Sequence, residues 1–390
     1  MGFFISMTIL SVKPTYFRNL APDEIVLSEG INLVVGKNGS GKTSLLEAIY
    51  MLTSGRSFRT RKLETIIFRN EDTSSHETFL FGRVRQSESS VNTTHEIGVR
   101  KSKVDKALIK IDGQSVLSSS VLAAICPISV IEPDNLSLLS GAPQQRRKFV
   151  DWGVFHVEPS YSKLWKNYVV TLKQRNAMLK TMSPYGPTDQ LDVWDEQLSR
   201  HAEKIDYLRS KVLEVLQEHF SKLLQNLLPG IAVSLSYRRG WDQSAGLGTA
   251  LKKNRDTDIS RSFTSVGAHR MDVRIGVSNK AAIEVLSRGQ LKLVTMALYL
   301  AQVKTLFLMT GKKSVVMVDD VSAELDSANT SRVFATLDEV GSQIICTTLD
   351  LEQTIKSINT SREVRVFHVE QGHIQEDKTS IQSLSNTDTE

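Results

Sequence analysis

Apolar residues form two kinds of pattern in this chain, and each pattern predicts a different type of element. Residues 31–35 (INLVV) and 315–318 (VVMV) are apolar at all but one position, as expected for strands that are buried on both faces. Further strand and helix patterns flank these two runs, which predicts an α/β fold with a mixed sheet. The flanking elements are strands at 8–16, 24–27 and 343–346 and helices at 44–52 and 291–310.

The middle of the chain has a helical pattern instead. Residues 142–182 predict a long helix with a break at Glu158-Pro159, and a turn follows at 183–187. Residues 189–228 predict a second long helix, because apolar positions recur at alternating spacings of three and four. Two such helices joined by a turn predict an antiparallel arm. The stripe consists of Leu191, Trp194, Leu198, His201, Ile205, Leu208, Val212, Val215 and His219.

A glycine-rich loop follows the first buried strand directly and precedes a predicted helix. The spacing is G-x-x-x-x-G-K-T, in which backbone N–H groups converge on phosphate oxygens. Lys42 reaches the β- and γ-phosphates, and the Thr43 hydroxyl ligates Mg²⁺. The sequence therefore predicts an ATP site with Mg²⁺ as its metal. The predicted binding residues are Gly36, Lys37, Asn38, Gly39, Ser40, Gly41, Lys42, Thr43 and Ser44.

Two acidic residues end the second buried strand. A carboxylate at the C-terminal end of a parallel strand can reach the metal on an adjacent phosphate loop. We therefore expect Asp319 to hold Mg²⁺ and Asp320 to face the attacking water, as in a Walker B motif.

Three further segments narrow the class of nucleotide-binding protein. Residues 286–290 (LSRGQ) precede a long apolar helix, so Ser287 and the following amides form an anion site at a helix N-terminus. Residues 322–326 (SAELD) follow the Walker B acids, and Thr347-Thr348 end the next strand. In this order the segments resemble the signature, D-loop and switch position of an ABC-type ATPase head. That resemblance implies an ATP-dependent homodimer in which Ser287, Gly289 and Gln290 contact ATP held by the other subunit.

Six stretches together resemble the bacterial RecF family, ABC-type ATPases of recombinational DNA repair. The resemblance implies an ABC-type ATPase head with an inserted helical arm, binding of double-stranded DNA and of single-strand/double-strand junctions, and partners of the RecR and RecO type. It also implies help in loading a recombinase at single-strand gaps, with roles in replication and the SOS response. The stretches are residues 36–52, 55–60, 132–156, 265–272, 286–294 and 315–326.

The motifs and the arm together predict four parts of the chain. Residues 1–140 form the first half of the ATPase head, with the phosphate loop. Residues 141–262 form the arm and a polar connection, and residues 263–374 form the second half of the head. Residues 375–390 are polar, with no apolar period, and are expected to be a disordered tail.

Two departures from the transporter-type pattern affect the expected chemistry. Asp320 stands where transporter-type enzymes have a Glu, and Thr347 or Thr348 stands where they have a switch histidine. A shorter base and a missing imidazole predict slow hydrolysis. We therefore expect a weak, DNA-stimulated ATPase whose dimer closes around DNA when ATP binds and opens after hydrolysis.

Clusters of basic residues are candidates for DNA contact, because phosphate binding needs such clusters. The same clusters could be solvated faces, and Arg59 or Arg61 could instead serve the nucleotide. His269, Arg270 and Asp272 match a motif of the family, with structural and interface roles both open. The candidate DNA contacts are Arg56, Arg59, Arg61, Lys62, Arg146, Arg147 and Lys148.

Composition adds few constraints. The chain has 390 residues and a net charge of +5; the tail carries −3, so the rest is basic enough to suit a polyanionic partner. Two cysteines cannot form a disulfide framework, which predicts a cytoplasmic protein. The most apolar long stretch, 293–309, contains Gln302 and Lys304, so we expect a buried helix and no membrane span.

Two other functions remain open at this point. One is the ATPase subunit of a transporter, although the long arm is unlike such a subunit. The other is a non-hydrolysing DNA-binding module that uses ATP only as a structural ligand.

Overall fold

Residues 5–68, 75–88, 91–132, 136–183, 188–242, 244–322 and 325–377 are described by a computed structural model. The chain divides into two compact units. We call Met1–Asp134 with Met296–Glu390 the head unit, and Asn135–Thr295 the arm unit. Parts of the predicted turn, D-loop and tail (184–187, 323–324 and 378–390) lie outside the described residues.

One sheet of the head unit carries the strands that the sequence predicts most clearly. Their bounds are β3 (Ile31–Val35), β8 (Ile128–Ile131), β13 (Val315–Val318), β14 (Ile344–Thr348), β15 (Val364–Glu370) and β16 (His373–Asp377). Over the described residues the order is β16-β15-β3-β14-β13-β8, and every pair is parallel except β15 with β16. The two apolar runs at 31–35 and 315–318 therefore lie in one sheet, as β3 and β13, with β14 between them.

A second, mostly antiparallel sheet completes the head unit. Its strands are β1 (Ile5–Thr15), β2 (Ile25–Val26), β4 (Glu77–Glu88), β5 (Val91–Ser102), β6 (Leu108–Ile111), β7 (Gln114–Ser115) and β12 (Lys312–Lys313). The order in the described chain is β12-β1-β4-β5-β6-β7, with β2 beside β1. The sequence analysis missed β4 to β7. On β4 the buried Leu80 and Val84 alternate with the exposed Phe79, Phe81 and Arg83, so apolar residues occur on both faces.

The first helix packs against strands of both sheets. The helices of the head unit are α1 (Lys42–Ser54), α2 (Ser119–Ile125), α11 (Ser327–Val340) and α12 (Leu351–Lys356). Leu45, Leu46, Ile49 and Leu52 of α1 are fully buried in the main apolar core, with residues of β1, β4 and β14. This packing fixes the helix that starts at the end of the phosphate loop.

The arm unit is built on three long helices. Its elements are α3 (Ser137–Ser140), α4 (Pro143–Val157), α5 (Tyr161–Leu179), α6 (Asp192–Leu227), β9 (Ser234–Arg238), α7 (Leu247–Lys253), α8 (Arg255–Arg261), β10 (Asp272–Val277), β11 (Lys280–Ala281) and α9 (Ala282–Val285). The predicted break at Glu158-Pro159 separates α4 from α5. Arg175 pairs with Asp195 and Arg209 lies over the Trp165 ring, so α5 and α6 run antiparallel.

The predicted boundaries differ from the observed units in two places. Residues 263–295 belong to the arm unit, because β10 pairs along its length with β9. The polar connection contains β9, α7 and α8, which were not predicted. Residues 375–377, which were expected to belong to the disordered tail, form the end of β16 and pair with β15.

Helix α10 (Arg288–Thr310) begins in the arm unit and ends in the head unit. By length and composition alone it could cross a membrane, yet 67% of its most apolar window is buried inside the protein. Such burial is characteristic of a core helix, as the sequence analysis expected.

The buried stripe of α6 is shifted from the predicted one at every second position. Leu191, Leu198, Ile205 and Val212 are buried as expected. The predicted stripe positions between them are half-buried, namely Trp194, His201, Leu208 and Val215. The buried positions are one residue further along, at Asp195, Ala202, Arg209 and Leu216. The pattern failed here because two of these four residues are charged, and charged residues are almost never fully buried unless paired.

Those charged residues belong to a buried polar network. Arg175 is fully buried and donates to Asp195 (2.6 Å), Asp258 (2.7 Å) and the Thr264 hydroxyl (2.8 Å). Arg255 also binds Asp195, at 2.7 Å. The network ties α5, α6 and α8 to the segment that precedes β10.

A second part of the network surrounds His269. The Thr264 carbonyl can only accept, so His269 Nε2–H donates to it (3.1 Å) and Nδ1 accepts from the Tyr168 hydroxyl (2.6 Å). Burial lowers the pKa of His269 to about 4, and the nearby Arg270 and Arg147 act in the same direction. His269 is therefore a neutral structural residue at neutral pH. This favours the structural role that the sequence left open.

We expect Arg175→Met to destabilise the arm unit by about 3–5 kcal/mol, because it leaves buried carboxylates without their cation. Arg200→Met is the matched control: Arg200 lies on the neighbouring helix α6, is 62% exposed and pairs with Glu196, so its loss should cost less than about 0.5 kcal/mol. All four tryptophans lie in the arm unit. Urea unfolding followed by tryptophan fluorescence therefore measures this unit, and equal midpoints for the two variants would contradict the prediction.

The pKa of His269 predicts a pH dependence of stability. The unfolded state, in which the histidine has its ordinary pKa near 6.5, binds more protons than the folded state between about pH 6.5 and 4. The stabilisation is complete above this window and is lost as the pH falls through it, by about 3 kcal/mol. In His269→Gln this loss should disappear. Tryptophan-detected unfolding midpoints at several pH values test this, and parallel pH profiles for wild type and variant would refute it.

Candidate nucleotide-binding site

The loop between β3 and α1 requires glycine at two points. Gly41 has φ 124°, which side chains rarely adopt, and it immediately precedes the first residue of α1. At Gly36 a Cβ atom would lie 2.5 Å from the Val369 carbonyl oxygen, so only glycine fits beside β15. These two positions let the loop turn tightly from the strand into the helix, with its amides grouped at the helix N-terminus.

Lys42 folds back over this loop. Its Nζ donates to the carbonyl oxygens of Gly36 (2.5 Å) and Lys37 (3.1 Å). Burial lowers the pKa of Lys42, while the nearby Asp320 and Asp319 oppose that shift. The ammonium group is thus held at the loop by weak neutral acceptors, which a phosphate could replace with a charged one.

Ser40 gives an independent indication of a ligand. Its Oγ is buried and, among the residues that the structure describes, has no hydrogen-bond partner. A buried unsatisfied hydroxyl costs free energy, which a phosphate oxygen at the loop would recover. The loop therefore fits a phosphate group.

Thr43 and the first Walker B acid meet at the edge of the sheet. The Thr43 hydroxyl donates to Asp319 Oδ1 at 3.1 Å. The Thr347 hydroxyl donates to the same oxygen at 2.8 Å and accepts from the Asp320 backbone N–H at 2.7 Å. Oxygen ligands of this kind are the ones Mg²⁺ prefers, so Thr43 and Asp319 fit a magnesium ion.

The two switch threonines have different environments. Thr347 contacts both Walker B residues, whereas Thr348 shares its hydroxyl with Ser322 (3.0 Å) and Thr354 (2.8 Å). Thr347 is therefore the residue that touches the candidate catalytic acids. Asp320 has φ 57°, a conformation uncommon for a residue with a side chain and frequent at functional sites.

The D-loop is described only at its two ends. Ser322 contacts Thr348, and Asp326 caps α11 by accepting from the Asn329 N–H at 2.7 Å. Residues 323 and 324 lie outside the described part of the chain.

The signature segment starts α10 with a reciprocal cap. Ser287 Oγ accepts from the Gln290 N–H (3.3 Å), and Gln290 Oε1 accepts from the Ser287 N–H (2.9 Å). Ser287 is exposed, and a Cβ atom on Gly289 would meet nothing within 4 Å. The start of the helix is therefore open to a ligand or a second molecule.

The basic candidates fall into two groups. Arg56, Arg59, Arg61 and Lys62 are exposed in the head unit, with Arg59 Nη1 3.9 Å from the buried Glu47. The second group consists of Arg146, Arg147 and Lys148 in the arm unit.

Arg146 forms two bonds to Asp272 (2.7 and 3.0 Å), and Arg147 donates to the Met271 carbonyl at 2.7 Å. These contacts distinguish Arg146 and Arg147 from the exposed cations with which they were grouped as candidate DNA contacts. Both guanidinium groups hold the start of β10 within the arm unit, and of this second group only Lys148 is exposed. The same contacts give Asp272 a structural role.

Sequence reasoning missed the residues that support the loop from the side. Asn19 Nδ2 donates to the Gly39 carbonyl (3.2 Å), and its Oδ1 accepts from the Ser44 hydroxyl (2.9 Å). Arg18 makes two bonds to the fully buried Glu47, at 2.8 and 2.9 Å. The segment 18–23 looked like an ordinary turn, and no spacing in the sequence links it to the loop.

Comparison with known proteins agrees with this architecture. The family model described as the RecF/RecN/SMC N terminal domain matches residues 8–375. The DNA replication and repair protein RecF of Shewanella loihica is 37% identical over 358 residues, covering 92% of this chain and 96% of the relative. RecF of Vibrio parahaemolyticus is 38% identical, covering 92% and 97%.

Solved structures give the same result. The recombination mediator protein RecF with ATP, of the RecFOR pathway, has a TM-score of 0.81 at 25% identity, covering 96% of this chain and 98% of that one. An Smc head domain from Pyrococcus furiosus has a TM-score of 0.58 at 16% identity, which supports the fold alone. The predicted ABC-type ATPase head with an inserted helical arm is confirmed. With a family model over most of its length and close relatives along nearly all of it, this chain belongs to the RecF family.

Proposed function

We propose that the protein is an ATP-dependent DNA-binding protein of recombinational repair that dimerises on ATP, binds duplex and gapped DNA, and slowly hydrolyses ATP to release it. The observation that carries this proposal is the meeting of Lys42, Thr43 and Asp319 at one sheet edge, beside a loop with an unsatisfied buried hydroxyl. The relatives named RecF, and the RecF structure with ATP, support the biological setting.

Each residue of the pocket has a separate task in this proposal. The loop amides and Lys42 bind the phosphates, and the Thr43 and Asp319 oxygens hold Mg²⁺, which neutralises phosphate charge when bound. Thr347 orients Asp319 and positions the Asp320 backbone through its two hydrogen bonds. Asp320 acts as the base that orients the attacking water. With a short carboxylate and a threonine at the switch position, turnover is slow.

The second half of the pocket comes from another copy of the chain. Ser287 is exposed and Gly289 and Gln290 are half-buried at the start of α10, where a helix N-terminus favours an anion. ATP between the loop of one protomer and this segment of its partner stabilises the dimer, and hydrolysis removes that link. The binding free energy of ATP thus becomes the free energy of closure.

DNA contact in this proposal uses the exposed cations of the head unit, with Lys148 of the arm unit. Arg56, Arg59, Arg61 and Lys62 have the charge and exposure that phosphate binding requires. Such contacts have little sequence preference and a strong salt dependence. Mediators of the RecR and RecO type are the expected protein partners, by analogy with the RecFOR pathway of the structural relative.

The comparisons favour our proposal over the transporter alternative, since the relatives are named RecF and the matching family model is the RecF/RecN/SMC N terminal domain. The non-hydrolysing module differs from our proposal only in the role of Asp320. The following comparison separates the two.

We expect Lys42→Ala to weaken ATP binding about 10- to 100-fold, because it removes a cation that contacts phosphate, and with it the ATP-dependent part of DNA binding. Asp320→Asn keeps the shape of the pocket, so it should still bind DNA with ATP while phosphate release falls about 100-fold. Fluorescence anisotropy on a duplex and on a gapped duplex, with and without ATP, measures binding.

The two variants serve as controls for each other, because only Lys42→Ala is expected to weaken ATP binding. Unchanged phosphate release by Asp320→Asn would exclude its role as the base. DNA binding that does not depend on ATP in the wild type would overturn the proposed function itself.

A mixing experiment tests the shared pocket. Lys42→Ala and Ser287→Arg should each be inactive as ATPases, because each spoils both pockets of a symmetric dimer. In an equimolar mixture, half the dimers are mixed and each has one intact pocket, so about a quarter of wild-type activity should return. Phosphate release by the mixture measures this recovery. Activity no greater than the mean of the separate variants would show that Ser287 does not act on the partner's nucleotide.

A further inference from the structure

Strand β4 carries two phenylalanines on its solvent side. Phe79 is 40% exposed and Phe81 is 42% exposed, while Thr78, Leu80 and Gly82 between and beside them are buried. At about 3.4 Å per residue, the Cα atoms of the two residues are about 7 Å apart, and both side chains lie on one face of the sheet. Core packing does not explain them, and adjacent exposed aromatic rings form a patch rather than scattered single residues.

The neighbouring strands leave space beside these rings. Phe81 pairs with Lys13 on β1 and with Gly98 on β5, and Gly98 pairs with Lys110 on β6. A Cβ atom on Gly98 would meet nothing within 4 Å, so no side chain covers this side of Phe81. In the next row, Phe79 pairs with Arg100. We call Lys13, Phe79, Phe81, Gly98, Arg100 and Lys110 the aromatic face.

The charge of this face suits a polyanion. Lys13 and Lys110 stand at the two ends of the Phe81 row, are exposed, and have no ion pair within 4.0 Å among the described residues. Arg100 is loosely paired, at 3.8 Å from Glu77 and 3.5 Å from Asp105. The row that contains Glu96 also contains Arg83 on the facing strand, and Arg83 pairs with Glu24 at 3.1 Å. The excess positive charge therefore lies around the phenylalanines.

We propose that the aromatic face binds single-stranded nucleic acid, with bases stacked on Phe79 and Phe81 and backbone phosphates at Lys13 and Lys110. Every base has a π face, and stacking on exposed aromatic rings of a sheet between cations is a general means of holding a single strand. In a duplex those base faces are already stacked, so the aromatic face selects the single strand.

This inference rests on the proposed function, because a junction offers a single strand beside the duplex. The aromatic face is distinct from the phosphate loop and from the basic residues assigned above to duplex contact. It gives the head unit a means of distinguishing the gap from the duplex that flanks it.

The test compares oligo(dT) with a blunt duplex of equal length, both labelled, by fluorescence anisotropy on the full chain with ATP. Phe79→Ala/Phe81→Ala should weaken oligo(dT) binding about tenfold or more, because it removes two stacking surfaces, and should leave duplex binding within about twofold. Gly98→Leu fills the open space beside Phe81 while keeping both rings, and should weaken oligo(dT) binding in the same direction. Tyr207→Ala is the matched control, since Tyr207 is an aromatic residue of α6 that is 65% exposed.

The outcomes are distinguishable. Unchanged oligo(dT) binding in both the double variant and Gly98→Leu would overturn the aromatic face and would leave the proposed function intact. An equal loss of duplex and oligo(dT) binding would also overturn it, because the face would then be a general DNA surface. A wild-type chain that binds duplex but not oligo(dT) refutes the inference alone. If the wild type binds neither probe, the proposed function fails together with it.

Discussion

The contact among Thr43, Asp319 and Thr347 depends on the parallel register of three strands. Val35 lies opposite Thr348, and Cys346 lies opposite Val318, so β3, β14 and β13 end at the same edge. Asp319, which follows Val318, is then level with Thr347, and its Oδ1 accepts a hydrogen bond from the Thr347 hydroxyl. A slip of one residue would turn Asp319 to the other face of the sheet. The buried Asn32 of β3 helps to fix this register, because its Nδ2 donates to the Ile344 carbonyl of β14 at 3.2 Å.

The sequence predicted an element best where nearly all of its positions follow one hydrophobic pattern. β3 and β13 were predicted at both ends, because all of their residues are buried and all except Asn32 are apolar. β4 was missed because Phe79 and Phe81, on its exposed face, mask the alternation that identifies a half-buried strand. The phosphate loop and the Walker B acids were recognisable because the chemistry fixes residue types at short spacings. The contact of Asn19 with the same loop and the bond of Arg18 to Glu47 of α1 could not be predicted, since they arise only in the folded chain.

The arm unit shows a limit of apolar patterns. Its stripe on α6 was predicted in the correct region, but Asp195 and Arg209 replace apolar residues at buried positions. Buried charges cost free energy unless their partners are placed accurately, so they penalise other ways of packing the three helices. Here the partners include the Thr264 hydroxyl and the Ala268 carbonyl, from the segment before β10. The motif that contains His269 therefore has a structural role in the arm unit. That role could not be predicted from the spacing of its residues in the sequence.

The capped start of α10 bears on the proposed shared pocket. In the cap, Ser287 Oγ accepts a hydrogen bond from the Gln290 N–H. The hydroxyl proton of Ser287 has no acceptor among the described residues, so it remains able to donate. A phosphate oxygen can take that proton without breaking the cap, because accepting and donating use different parts of one hydroxyl. The cap then holds the serine in place before ATP arrives, and little side-chain entropy is lost when a second protomer closes on the nucleotide.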